Sequence, residues 1–195
     1  MRGIVHELLA QSLEVKRVYI QENASLLISL AERIAEAFTK DRKLLICGNG
    51  GSAADAQHLA AEFVNRYSIE RPPLPALALS TDSSILTSIG NDSSFENVFE
   101  KQVKALGVEG DVLLMISTSG NSANLLAAAR AARDRRMFTA GFLGKNGGKL
   151  GSMVDLAIAA RSADTPRVQE AHILAGHIVC HLVDYILFQM HVPGE

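Results

Sequence analysis

Apolar positions along the chain follow two periodicities, and their order outlines an architecture. Over residues 3–40 they recur at helical spacing, with Ile4, Leu8, Leu9 and Leu13 followed by Leu26, Leu27, Leu30, Ile34 and Phe38. Steps of three and four keep such side chains on one helix face. Asn23 or Ser25 suits a new N-cap, so the spacing predicts two helices here. From Lys43 the pattern changes. Short continuous apolar runs, Leu44–Cys47, Leu74–Leu79, Val112–Ile116, Phe138–Leu143 and Leu156–Ala159, alternate with helical segments. Strands without polar alternation are buried on both faces, and helical crossovers make their sheet parallel, with right-handed connections. A last helix is expected from Pro166 to about Met190, with Ile173, Leu174, Ile178, Leu182, Ile186 and Leu187 as its apolar face. The expected fold is α/β, a doubly wound parallel sheet of five strands. Residues 1–41 form a helical extension with more apolar surface than a sheet cover needs, which points to another subunit. Pro72-Pro73 reads as a turn, not a domain boundary.

Composition narrows this to one domain over residues 1–195. At 195 residues and 48% hydrophobic, the chain fills one core and would be cramped as two. A net charge of -2 with no basic block argues against a nucleic-acid surface or an anionic membrane partner. Cys47 and Cys180 lack CxxC spacing, which disfavours a disulfide scaffold or a cysteine-rich zinc site. The amphipathic N-terminus, interrupted by charge, is unlike a signal peptide, and no apolar run is long enough to span a membrane, so a cytoplasmic location is expected.

Candidate chemistry starts after the first strand. Gly48-x-Gly50-x-x-Ala53 satisfies the loose dinucleotide fingerprint, but the acidic residue that should end the next strand, Asp82, lies about 30 rather than about 20 residues on. Ser52 adds a hydroxyl that a cofactor turn does not need. After the third strand comes Ser117-Thr-Ser-Gly-Asn-Ser122, at the start of an Ala-rich helix. Ser122 alone could be an N-cap. Ser117, Thr118 and Ser119 are then left over, and a second hydroxyl-bearing strand-to-helix turn on the same sheet edge favours a phosphoester ligand.

Farther along, His58 and Glu62 are spaced i, i+4, where they can share a ligand or simply form a surface pair beside Arg66. The last helix carries Gln169, Glu170, His172, His177 and His181. Imidazole from one helix with imidazole and carboxylate from another suits zinc, although spacing leaves open which histidine is used.

Gly48-Asn-Gly-Gly-Ser52, Asp55-Ala-Gln-His58 with Glu62, Asn91-Asp92, Ser117-Thr-Ser-Gly-Asn-Ser122 and Gln169-Glu-x-His together resemble the sugar isomerase (SIS) domain of the bacterial phosphoheptose isomerases, over nearly the whole chain. The resemblance implies substrate contacts from Asn49, Gly50, Gly51, Asn91, Asp92, Ser117, Thr118, Ser119, Ser122 and Gln169, with Ser52 near the phosphate. It implies zinc at His58, Glu62, Gln169 and His177, and an acid/base pair of Glu62 and His177. It further implies a homotetramer with sites between subunits. The implied reaction interconverts D-sedoheptulose 7-phosphate and D-glycero-D-manno-heptose 7-phosphate through an enediol, feeding ADP-heptose for lipopolysaccharide or related glycans. The rival readings are a SIS protein that binds the replication initiator, whose kind lacks a carboxylate at position 62 and the late histidine, and a SIS protein for another sugar phosphate. A nicotinamide dehydrogenase is more distant.

Overall fold

The computed structural model describes residues 1–190. Helix α1 (Arg2–Thr39) precedes β1 (Leu44–Gly48), α2 (Gly51–Val64), β2 (Ala76–Ala78), α3 (Ser83–Asp92) and α4 (Val98–Leu106). Then come β3 (Val112–Ser117), α5 (Ala123–Asp134), β4 (Phe138–Gly144), β5 (Leu156–Ala160) and α6 (Thr165–Phe188). All strand pairs are parallel, in the order β2-β1-β3-β4-β5. Every residue of β1 and β3 is buried, as their unbroken apolar runs require. Alternate residues feed two cores. Leu44, Ile46, Val112, Leu114 and Ile116 pack with Leu30, Ile34, Leu59, Phe63 and Val179, from α1, α2 and α6. Leu45, Cys47, Leu113 and Met115 pack on the other face with Phe99, Val103, Leu125 and Ala128, from α4 and α5.

Two expected helices over residues 3–40 are instead one helix of 38 residues, about 57 Å long. Neither Gly nor Pro interrupts it after Gly3. Asn23, expected as a cap, is buried in mid-helix, where its amide donates to the Tyr19 carbonyl at 2.8 Å and to the Ala159 carbonyl of β5 at 3.5 Å. The first part of α1 leaves Ile4, Val5, Leu8, Leu9 and Leu13 exposed, an apolar stripe with no cover in the single chain.

The second strand is shorter than its apolar run. Pro72, Pro73 and Pro75 cannot donate, so this edge strand pairs fully only over Ala76–Ala78, with single bonds from Leu44 N to Pro75 O and from Leu79 N to Ile46 O at its ends. Helix α6 starts at Thr165 with Pro166 in its first turn. Contrary to the expectation of no such run, α6 is long and apolar enough to cross a membrane. Its Val168, Ala171, Ala175, Val179 and Val183 are instead buried in the core beneath α1 and the sheet.

Candidate active site

In a sheet of this strand order the direction in which successive strands are added reverses between β1 and β3, and ligands bind in the crevice beyond their carboxyl ends. Register sets Gly48 beside Ile116, so the loops that follow, 49–52 and 117–122, flank that crevice. Gly50 has φ 57° and ψ -123°, a conformation essentially confined to glycine, and it lets the chain turn straight into α2. The backbone N–H groups of Gly51, Ala123 and Asn124 make no hydrogen bond among the described residues. They are free donors at two helix N-termini, where the macrodipole also favours an anion. Ser52 is buried in the first turn of α2. Ser122 sits at the N-cap of α5 without a capping side-chain bond, so its hydroxyl is not spent on the helix.

Other hydroxyls shape the second loop. Ser117 Oγ accepts from Gly120 N at 3.0 Å, and Ser119 Oγ accepts from Asn121 N at 3.2 Å. Thr118 lies between them, its carbonyl packed so closely on Gly144 that a Cβ there would collide with it. Asn49 and Asn124 exchange amide hydrogen bonds of 3.0 and 2.8 Å, tying the loops together. Both Asn49 bonds are thus internal to the protein, and Asn124, which the motifs did not single out, is its partner. Gly51 lies directly under the Gln169 side chain, where any Cβ would clash, so α6 meets the first loop at a residue both substrate and metal expectations include.

The metal and acid/base candidates meet where α2 crosses α6. Gly176 makes the crossing close, because a Cβ there would meet Leu59 Cδ2 at 2.5 Å. Next to it, His58 and His177 face each other with Nε2 atoms 2.9 Å apart, within hydrogen-bond distance. Glu62 Oε1 lies 3.5 Å from the same His58 nitrogen. Donor atoms about 2.0–2.2 Å from a tetrahedral zinc stand about 3.3–3.6 Å apart. The Glu62 spacing fits that edge, and the two imidazoles would separate by roughly 0.4 Å to meet it. These three donors suit zinc in type, but among the described residues no group of three His, Cys, Asp or Glu side chains is arranged to hold a metal ion. Gln169 faces Gly51.

Two groups nearby have no role in the sequence reading, Asp55 although it opens a quoted motif, and Tyr67, which lies in none. Asp55, a turn before His58, has a buried Oδ2 without a partner, and burial raises its carboxyl to about 6 against the opposing charge of His58. Tyr67, beyond the end of α2, packs its ring against His177 and His181. Asn91 and Asp92 stand in the last turn of α3, exposed and joined by a 2.7 Å hydrogen bond, and no hydrogen bond links them to either loop.

Of the late histidines, His172 is an interior residue. It is fully buried between Tyr19 and Phe142 and donates from Nε2 to the Leu143 carbonyl at 3.0 Å, leaving Nδ1 without a partner. Burial pushes the imidazole down from 6.5 to about 4, opposed by the Leu143 bond. Above pH 6.5 the ring is neutral in both folded and unfolded chains. Between there and about pH 4 only the unfolded chain takes the proton, so stability falls with pH. Urea unfolding should show a loss on the order of 3 kcal/mol from this residue across that window, and His172→Gln should flatten the decline.

Residues 8–144 match the SIS domain family. A phosphoheptose isomerase of Nitratidesulfovibrio vulgaris (strain Miyazaki F) is 53% identical over 96% of this chain and 90% of its own. The structure of a phosphoheptose isomerase from Neisseria gonorrhoeae superposes with a TM-score of 0.89 at 43% identity, covering 94% of this chain and 98% of that one. Another, from Francisella tularensis, gives a TM-score of 0.90 at 34% identity, over 93% and 97% of the two chains.

Proposed function

The chain belongs to the phosphoheptose isomerases of the SIS domain family, and from that premise we propose how its own residues carry the reaction. The protein is an aldose-ketose isomerase that converts D-sedoheptulose 7-phosphate to D-glycero-D-manno-heptose 7-phosphate. The observation that carries the residue assignment is that α2 starts at the phosphate receptor and carries His58 and Glu62, which meet His177 of α6. Loops 49–52 and 117–122 bind the remote phosphate through the free amides of Gly51, Ala123 and Asn124 and the hydroxyls of Ser52, Thr118 and Ser122. Fixing that end holds the C1–C2 end beside Glu62 and His177. Glu62 takes the proton from C1 of the ketose, and the resulting enediol is reprotonated at C2. His177 moves the hydroxyl proton between O1 and O2.

His58, Glu62, His177 and Gln169 are the residues that would hold zinc. Bound there, zinc would polarise the sugar carbonyl or orient its oxygens. A carboxylate held by a metal is a poorer base, so the ligand and base roles of Glu62 belong to different moments. Elemental analysis of the purified protein should give one zinc per subunit, reduced to a small fraction by His58→Ala or His177→Ala. Full metal content in both variants would remove this donor set.

The exposed stripe of Ile4, Val5, Leu8, Leu9 and Leu13 supports a homotetramer, with sites completed between subunits, as the assembled form. A cytoplasmic location and a place at the start of ADP-heptose formation belong to the same reading. The alternative of a regulator that binds the replication initiator is disfavoured by the meeting of Glu62, His58 and His177, which such a regulator does not need. Incubation with sedoheptulose 7-phosphate, before and after chelation, tests the assignment. Formation of the aldose supports it, and binding of initiator without turnover would favour the alternative.

A further inference from the structure

Beyond the residues named so far, we propose that Tyr67 is a positioning residue for the reaction, setting the plane of the His177 imidazole. This inference rests on the isomerase reading above.

The rings form a row. His58 and His177 have centroids 5.1 Å apart, Tyr67 lies 5.6 Å from His177 with an interplanar angle of 35°, and His181 meets Tyr67 edge-on at 6.2 Å and 75°. These are separations at which aromatic rings hold each other in offset or edge-to-face arrangements. An imidazole hydrogen-bonded through Nε2 alone can still rock about that bond and about its side-chain torsions. The contact with His58 at Nε2 fixes one end of the His177 ring, and the face of Tyr67 fixes its tilt.

Tyr67 is itself held. It lies in the irregular segment between α2 and β2, where a loose side chain would otherwise be expected. Arg71, four residues on, anchors that segment. Its Nη1 donates to the Phe63 carbonyl at 2.7 Å, its Nη2 to the Glu62 carbonyl at 2.9 Å, and its Nε to Asp184 of α6 at 2.9 Å. The same guanidinium therefore fastens the end of α2 that carries Glu62, the segment that carries Tyr67 and the helix that carries His177. The Tyr67 hydroxyl makes no hydrogen bond among the described residues, so the ring and not the oxygen supplies the contact.

Tyr67→Phe should keep normal turnover, while Tyr67→Ala and Tyr67→Leu should lower kcat for sedoheptulose 7-phosphate about ten- to a hundred-fold. KM, set largely by the phosphate loops, should stay within about two-fold. The His177 ring protons should lose the ring-current shift of Tyr67 in the Ala and Leu variants and keep it in Phe. Two variants that differ in volume guard against a failure of one to fold, and the His177 resonances of the wild-type and Phe proteins test the contact independently. Unchanged kcat in Ala or Leu, unchanged His177 resonances, or a loss in which kcat falls only in proportion to the folded fraction would overturn the proposal. An inactive wild-type protein would instead defeat the isomerase reading, while the resonance shifts would still report on Tyr67.

Discussion

Glu62→Gln should give a folded protein that isomerises sedoheptulose 7-phosphate about a thousand-fold more slowly or worse, since positioned acid-base groups contribute about 10²–10⁴-fold. The substitution keeps the size and hydrogen-bonding reach of the side chain but removes its basicity. Glu62 is a fifth exposed and sits in the last turns of α2, with its carbonyl held by Arg71, so little of the fold depends on the carboxylate itself. Thermal unfolding should therefore change little. Substantial residual turnover would take Glu62 out of the chemistry and turn attention to Asp55, a turn before His58 on the same helix, whose carboxyl is raised by burial.

Arg71→Met should destabilise the fold by about 3–5 kcal/mol, the usual cost of stranding one member of a buried ion pair. Arg71 and Asp184 side chains are 1% and 2% exposed, and Asp184 Oδ2 already has no partner. Removal of the guanidinium leaves that carboxylate buried with neither charge nor donor beside it, and frees the carbonyls that close α2. A shift of the urea midpoint measures this. The double variant Arg71→Met, Asp184→Leu should be less destabilised than Arg71→Met alone, because an apolar replacement of the whole pair removes the stranded charge. A single variant within about 1 kcal/mol of wild type would contradict the anchoring role, given that penalty.

The sheet was legible because continuous apolar runs bounded by helical segments have few other interpretations. Strands β1 and β3 lie within a residue of their expected ends. Helix α1 differs from the expectation of two helices because Asn23 looks like a cap in sequence, while in the fold its amide bonds the Tyr19 carbonyl inside the helix and reaches the Ala159 carbonyl of β5, far along the chain. The second strand was overextended because an apolar run does not show that its prolines lack donors for a ladder.

At the site, the phosphate loops could be found from their hydroxyls and glycines, since local backbone geometry demands both. The convergence of His58 with His177 could not. It depends on Gly176 admitting Leu59 between two helices separated by more than 100 residues, and spacing within α6 leaves open which of its histidines is used. Asn124, Tyr67, Arg71 and Asp184 carry no motif at all. Each matters through what it touches across the fold. Asn91 and Asp92 rest on the family resemblance, as the single chain brings neither to the crevice by a hydrogen bond.

The most direct test is to run the reaction in deuterium oxide and follow the sugar phosphate by proton NMR. Proton transfer through an enediol by a partly exposed Glu62 predicts the aldose heptose 7-phosphate with deuterium at C2. Absence of the aldose, or an aldose carrying only protium at C2, would contradict the account.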